Sequence, residues 1–521
     1  MSTRRPHARL AGLACLLALA CERPALAPHA ADSGVVIAAD APDAGDERLA
    51  DGRPSSSPTD GAPAATSAAH ASSQVDRQRD ACLAHNPAPA RYEGIVRAFC
   101  SEHAHLGGVG ASLAVAERGR LAFTAVTGAR CRDGPPVTVD TAFRLGSLTK
   151  LATAALVLAL ADERRLDLHA PLPELADFTD PRARDITPQQ LLEHTAGLGD
   201  PDPRDLVAAR HDLARDLPWR RALAARPLLA DPGLLWSYSN AGYALLGAAL
   251  ERLAPRTPYP KLLQDRLLTP LQLAHTTADI ERALAGDTAC GHLGRGPAAL
   301  ALDVRQDLEF GAAGATWTIP AGGLLGSAAD QVALVLGLLD PARSPLSPAA
   351  RAALLAPGPL THERPGERYA PGLRVQRLSD GTPLYRHGGR TGDFTADLSF
   401  APDRGFVLVV LGNTGDPLLA VLAAAHHDLL GEPPRAPAPA LPLDRYAGTY
   451  AVPGWTAALT IEGGALTAPD LGLAAAPLEP LGDHRFGAGD APRHLLTFVF
   501  LGDPDRPTHL RTREFIATRT P

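Results

Sequence analysis

Lysine is nearly missing from this chain: of its 521 residues, 50 are Lys or Arg, and only Lys150 and Lys261 are lysine. Arginine therefore carries the positive surface charge. Arginine keeps its proton at any accessible pH, whereas a desolvated lysine can release it. A lysine retained in such a background points to a task that arginine cannot perform. Asparagine is almost as scarce, present only as Asn86, Asn240 and Asn413. The excess of Ala, Pro and Arg that accompanies these absences has the look of a GC-rich coding bias and carries no functional meaning. No CxxC and no clustered Cys/His spacing occurs, which argues against a structural zinc site. The net charge of −7 gives no electrostatic basis for a nucleic-acid partner.

Long apolar runs are also lacking. The longest near the N-terminus, Ala11–Ala20, is too short to cross a bilayer but suits the core of a signal peptide, with Arg4, Arg5 and Arg9 before it. It ends in Leu17-Ala18-Leu19-Ala20-Cys21, which resembles a bacterial lipoprotein cleavage box with Cys21 as the lipidated residue. Residues 1–21 are thus expected to be a signal, and the mature chain to be exported and membrane-anchored through Cys21. Residues 22–89, rich in Ala, Pro and Ser without periodicity, predict a disordered tether. A large mixed domain is expected over 90–431, a Pro/Ala linker over 432–442 and a small all-β unit over 443–521. The mature cysteines, Cys82, Cys100, Cys131 and Cys290, suit one or two disulfides in an oxidising compartment, with the pairing open.

Within the large domain, alternation predicts strands over Gly110–Glu117, Leu121–Gly128, Gly372–Gln376, Pro383–Arg386, Thr395–Phe400 and Phe406–Leu411. Helices are expected over Arg91–His103, Thr149–Ala161, Ala241–Leu250 and Leu418–Leu430, and in the second half of Gly322–Leu339. Thr149–Ala161 is apolar on nearly all sides, as a helix buried in a domain centre is. The tail offers short alternating stretches at Gly448–Val452, Ala457–Ile461, Ala465–Thr467, Leu495–Phe500 and Phe515–Thr518. His103, His105, His426 and His427 read as solvated helix residues rather than metal ligands.

Three short segments carry chemistry. Ser147-x-x-Lys150 places a hydroxyl and an amine on one helix face, the spacing of a serine nucleophile with a lysine base. A serine at a helix start also lies in the positive end of the helix dipole, and its own N–H can help hold an oxyanion. The plain alternative is an N-cap serine followed by a surface lysine. In Trp236-Ser237-Tyr238-Ser239-Asn240, a tyrosine near a lysine cation has its phenolate favoured and can accept the serine proton, while Asn240 can steady the lysine and donate to a substrate carbonyl. The plain alternative is a loop tyrosine before a helix cap. In Arg386-His387-Gly388-Gly389-Arg390, paired glycines let a strand backbone lie close to a ligand, the Arg390 N–H can be a second oxyanion donor, and His387 can polarise the site. Alone, that run reads rather as a Gly-rich turn with a solvated histidine.

Taken in order, Ser147-x-x-Lys150, Tyr238-x-Asn240 and His387-x-Gly389 resemble the three active-site motifs of the serine β-lactamase/penicillin-binding-protein superfamily, in its class C-like branch. Weaker segments agree: Leu191–Leu198, Ala321-Gly322-Gly323-Leu324 and Gly392-Asp393-Phe394. The tail from Leu441, with Tyr446-Ala447-Gly448-Thr449-Tyr450, is similar to a small β domain often appended to these enzymes. The resemblance implies an α+β sandwich: an antiparallel sheet flanked by helices, an all-helical subdomain, then a barrel-like β domain. It implies catalytic roles for Ser147, Lys150 and Tyr238, and substrate or oxyanion roles for Asn240, His387, Gly389 and Arg390. It implies a packing role for His194, no metal or organic cofactor, and a small acyl or peptide-like molecule as substrate. The superfamily spans esterases and peptidases, D-alanyl-D-alanine carboxypeptidases, class C β-lactamases and non-catalytic penicillin-binding sensors. True class C β-lactamases begin the third motif with lysine and threonine. His387-Gly388 in that place directs expectation to a serine hydrolase of small ester or amide substrates.

Overall fold

The computed structural model describes residues 64–200, 217–296, 299–302, 318–391, 393–433 and 442–520, the last apart from 453–454, 463, 469–472, 483, 489–496, 503–505 and 513–515. The expected signal segment with Cys21 lies outside these residues, as do most of the expected 432–442 linker and Gly392.

One antiparallel sheet organises the large domain. Its strands are β1 (Gly110–Glu117), β2 (Arg120–Gly128), β3 (Arg368–Ala370), β4 (Leu373–Arg377), β5 (Pro383–Arg390), β6 (Thr395–Ala401) and β7 (Phe406–Gly412), in spatial order β2-β1-β7-β6-β5-β4-β3. Strand β7, third in that order, is buried along its whole length. Its Val407, Val409 and Leu411 enter the core beneath the catalytic segments, and Phe406, Leu408 and Val410 enter the core on the opposite face. Two-residue alternation thus feeds a different core on each face, which is how a helix-sheet-helix sandwich is built.

Helices α1 (Ala64–His85), α2 (Glu93–His105) and α6 (Leu419–Leu430) include the outer layer, where Phe99, Leu418, Val421 and Ala425 pack on the sheet. The inner layer holds α3 (Thr149–Asp162), α4 (Asn240–Leu253) and α5 (Ala328–Leu339). In α3 every residue from Thr149 to Leu158 is buried. Each leucine or valine so buried contributes roughly 1.5–3 kcal/mol relative to exposure. Helix α4 starts where the Ser239 hydroxyl accepts from the Gly242 N–H at 3.2 Å, a cap that is typically worth ~1 kcal/mol.

Two expectations are corrected here. The span 22–89 is not wholly a tether, because Ala64–His85 is helical. The Cys82–Cys100 disulfide fixes its end to α2, and Asn86 pairs with both the N–H and the C=O of Val126 on edge strand β2, each at 2.9 Å. Of the four histidines read as solvated, His103 and His426 are not: burial lowers both to a pKa of about 4. The other disulfide joins Cys131 to Cys290.

The tail is a closed antiparallel barrel of strands in sequence order: β8 (Gly448–Val452), β9 (Trp455–Glu462), β10 (Ala465–Ala468), β11 (Leu473–Gly482), β12 (Arg485–Ala488), β13 (Thr497–Gly502), β14 (Pro507–Arg511) and β15 (Ile516–Arg519). Closure is made by β8 on β15, with Tyr450 opposite Arg519. Tyr446, Tyr450, Phe486, Phe498 and Phe500 fill it.

Candidate active site

Ser147 lies in a tight turn, Gly146–Leu148, that feeds directly into α3. From Thr141 to Leu158 it is the one residue that is not buried. The chain therefore exposes a single hydroxyl at the head of a buried helix. Lys150, one helical turn on, is completely buried. Its Nζ donates to Ser147 Oγ at 3.2 Å, to Asn240 Oδ1 at 2.8 Å and to the Ala321 carbonyl at 2.7 Å. Three acceptors match the three N–H bonds of an ammonium. The Tyr238 hydroxyl donates to Ser147 Oγ at 2.7 Å, and the amine lies 4.8 Å from the Tyr238 ring centre. An amine and a phenol from separate parts of the chain thus converge on one accessible hydroxyl.

Asn240 is placed by its own partner. Its Nδ2 donates to Asp200 Oδ2 at 2.9 Å, and the other Asp200 oxygen accepts from Ser239 Oγ at 3.1 Å and from the Ala241 N–H at 2.9 Å. That carboxylate orients the amide so that its oxygen faces Lys150.

Strand β5 brings the third segment up against Ser147. A methyl group on Gly389 would stand 1.9 Å from the Leu145 carbonyl oxygen, and one on Gly146 would stand 3.0 Å from the Arg390 nitrogen. Gly146 also has φ +51°, a conformation that glycine adopts without strain. Only glycines let these two backbones touch, and the contact sets the Arg390 N–H beside the peptide that precedes Ser147. The Arg390 side chain turns away: it donates to the Gly389 and Ala396 carbonyls, both at 2.7 Å, and pairs with Asp397 at 2.8 Å.

His387 differs from expectation. It is buried, and neither ring nitrogen is offered to a ligand: Nε2 lies 3.0 Å from the Tyr369 hydroxyl and Nδ1 lies 2.8 Å from the Gly388 carbonyl. Burial first, then the positive charges of Arg374 and Lys150, hold its pKa well below the usual histidine value. It is a neutral imidazole, so it does not polarise the site as a cation. Tyr369 continues the chain to His194, whose Nε2 is 3.1 Å from the same hydroxyl. His194 packs against Tyr238, 4.4 Å between ring centres, which agrees with the packing role expected of it.

Sequence reasoning missed Asp200, Tyr369 and Arg374. None lies in a recognisable pattern. Ala321, whose carbonyl holds Lys150, falls in the family-like segment Ala321–Leu324. Among the described residues, no group of His, Cys, Asp or Glu is arranged to hold a metal ion.

The Beta-lactamase family profile matches residues 96–432. This chain belongs to that family. Penicillin-binding protein 4 of Amycolatopsis lactamdurans is 32% identical over 377 residues, covering 66% of this chain and 92% of that protein. Esterase EstB of Burkholderia gladioli is 36% identical over 171 residues, which is 28% of this chain and 41% of EstB. The crystal structure of SurE superposes with a TM-score of 0.60 at 27% identity, over 85% of this chain and 99% of SurE. SurE has also been solved with D-Leu. The β-lactamase-like fold and these relatives make the chain a member of a serine hydrolase family.

Proposed function

We propose that this protein is an exported hydrolase that cleaves small ester or peptide-like amide substrates through an acyl-enzyme on Ser147. Ser147 Oγ attacks the carbonyl carbon while its proton passes to the Tyr238–Lys150 pair. The N–H groups of Ser147 and Arg390 hold the oxyanion. Tyr238 returns the proton to the leaving group, and water then cleaves the Ser147 ester. The observation that carries this reading is the accessible Ser147 hydroxyl within 2.7 Å of a phenol and 3.2 Å of an amine.

A neutral, enclosed His387 in place of a lysine offers no cation for a β-lactam carboxylate, which supports esters and peptide-like amides. The likeness to SurE, solved with D-Leu, supports a D-amino-acid residue in the substrate. A second reading, a D-alanyl-D-alanine carboxypeptidase, is favoured by the extensive match to a penicillin-binding protein. The Cys82–Cys100 and Cys131–Cys290 disulfides support export, and Cys21 is proposed as the lipid anchor. Cys21→Ser should then move the protein from the membrane to the soluble fraction.

The test is to treat the protein with a fluorophosphonate and a fluorescent penicillin, map the label, and compare hydrolysis of p-nitrophenyl acetate, nitrocefin and a D-Ala-D-Ala peptide. Label on Ser147 with ester turnover is expected, and Ser147→Ala should cut turnover at least about 1,000-fold. Fastest turnover of the D-Ala-D-Ala peptide would favour the carboxypeptidase. Absence of label from either probe would leave a non-catalytic binding protein.

A further inference from the structure

The C-terminal barrel sends one buried cation into the wall of the active site. Arg511 ends β14 and is 3% exposed. Its Nη1 donates to the Trp236 carbonyl, and its Nη2 donates to the Thr361 carbonyl at 3.1 Å and lies 3.5 Å from Glu363 Oε1. Its guanidinium carbon is 4.9 Å from the Trp236 ring centre. Arg374 lies over the same ring at 5.3 Å and pairs with Glu363 and Glu367, each at 2.7 Å. Two guanidinium groups and two carboxylates thus form a charge-balanced set where the barrel meets the large domain.

Trp236 is what this set grips. Its indole N–H has no hydrogen-bond partner among the described residues, and neither has the Ser237 hydroxyl. The residue is held by its carbonyl and its ring instead. The ring packs against Tyr369 at 5.6 Å and Tyr238 at 6.3 Å between centres. Residues 236–239 belong to no helix or strand. Two bonds to His194, from the Ser237 N–H at 2.8 Å and the Ser239 N–H at 3.2 Å, hold the far side of this segment, and the contacts at Trp236 hold its near side, so both together aim the Tyr238 hydroxyl.

We propose that Arg511 is a positioning residue for the chemistry at Ser147: through the Trp236 carbonyl and ring, the barrel holds Tyr238 within hydrogen-bonding reach of the nucleophile. This rests on the reading of Tyr238 as the proton acceptor. The barrel is then a working part of the site rather than an attached module. Arginine is required, because one ammonium cannot reach two carbonyls and also lie flat on an aromatic ring.

The test compares Arg511→Ala, Arg511→Lys and Tyr238→Phe for acylation rate across pH, with melting temperature as a control. Arg511→Ala should acylate about 10- to 100-fold more slowly while keeping a folded barrel. Millimolar guanidinium, but not ammonium, should restore much of the rate. Arg511→Lys should also be slow, and it decides the matter if the alanine variant does not fold. A rate loss that guanidinium does not recover and that simply follows melting temperature overturns the proposal. So do Arg511 variants within about twofold of the parent while Tyr238→Phe is inactive. A fully active Tyr238→Phe removes the reading on which the proposal stands, whatever Arg511 does.

Discussion

The Tyr369 hydroxyl stands between two imidazoles, 3.0 Å from His387 Nε2 and 3.1 Å from His194 Nε2. The proton order follows from the ends. The Ser239 N–H donates to His194 Nδ1 at 3.2 Å, so the neutral His194 carries its proton on Nε2 and gives it to Tyr369. Tyr369 then donates to His387 Nε2, which leaves the His387 proton on Nδ1 facing the Gly388 carbonyl. Burial keeps Tyr369 protonated, well above the usual tyrosine value. The wire is uncharged from end to end.

Nitrogen chemical shifts should therefore show His387 as the neutral Nδ1–H tautomer from about pH 5.5 to 8, a window in which free histidine titrates. Tyr369→Phe should destabilise the protein by about 2–4 kcal/mol, because it strands a buried donor and a buried acceptor together. A charged His387 at neutral pH, or a Tyr369→Phe variant as stable as the parent, would contradict this arrangement. Denaturant titration reads the second point.

Gly389 and Gly388 are neighbours with different obligations. An added methyl on Gly389 would collide with the Leu145 carbonyl, whereas one on Gly388 meets only side-chain ends, the Asp397 carboxylate at 3.3 Å and the Arg390 guanidinium at 3.7 Å. Gly389→Ala should push β5 away from Ser147 and reduce acylation by about 100-fold or more. Gly388→Ala should cost far less, since a side chain can shift by a few tenths of an ångström. Equal activities in the two variants, measured by fluorophosphonate labelling rate, would refute the close-approach argument.

The same glycines explain what was legible in the sequence. Composition ended the predicted strand at Arg386, because Gly388-Gly389 reads as a turn. The structure carries β5 on to Arg390, since the glycines serve a backbone contact rather than a reversal. Strands β1 and β7 were readable because each face buries a set of apolar side chains, and β6 because Ala396, Leu398 and Phe400 alternate with polar residues. Leu473–Gly482 was not: its alanines and two prolines hide a strand that exists only because a barrel needs it. Lys150 stood out by the rarity of lysine. Asp200, Tyr369 and Arg511 act across long stretches of chain, and nothing local distinguishes them from ordinary polar residues.

Lys150 is enclosed by three acceptors within 3.2 Å. A guanidinium is larger and planar, and it cannot serve as a base. Lys150→Arg should lose nearly as much activity as Ser147→Ala, and it should also be less stable, because the extra volume has no room beside Tyr243, whose ring centre is 5.3 Å from the amine. Turnover of p-nitrophenyl acetate at the parent rate by this variant would reject the lysine's part in proton transfer.

Acid should weaken the fold through its buried histidines. His103 and His426 titrate at about 4 in the folded protein against 6.5 as the ordinary value, and His387 is shifted the same way. A depressed histidine pKa means that the unfolded chain binds protons before the native one does. Stability therefore rises with pH through this window and is lost as pH falls below about 6.5 toward 4. Between pH 7 and pH 5 the loss should be on the order of 2 kcal/mol for His103 and for His426. His103 suits the test because burial alone causes its shift, and its Nε2 has no hydrogen-bond partner among the described residues. His103→Leu should keep the fold at pH 7 and show a smaller drop on going to pH 5. Urea midpoints at the two pH values measure the difference, and an unchanged acid slope in the variant would show that His103 is not one of the groups that take up the protons.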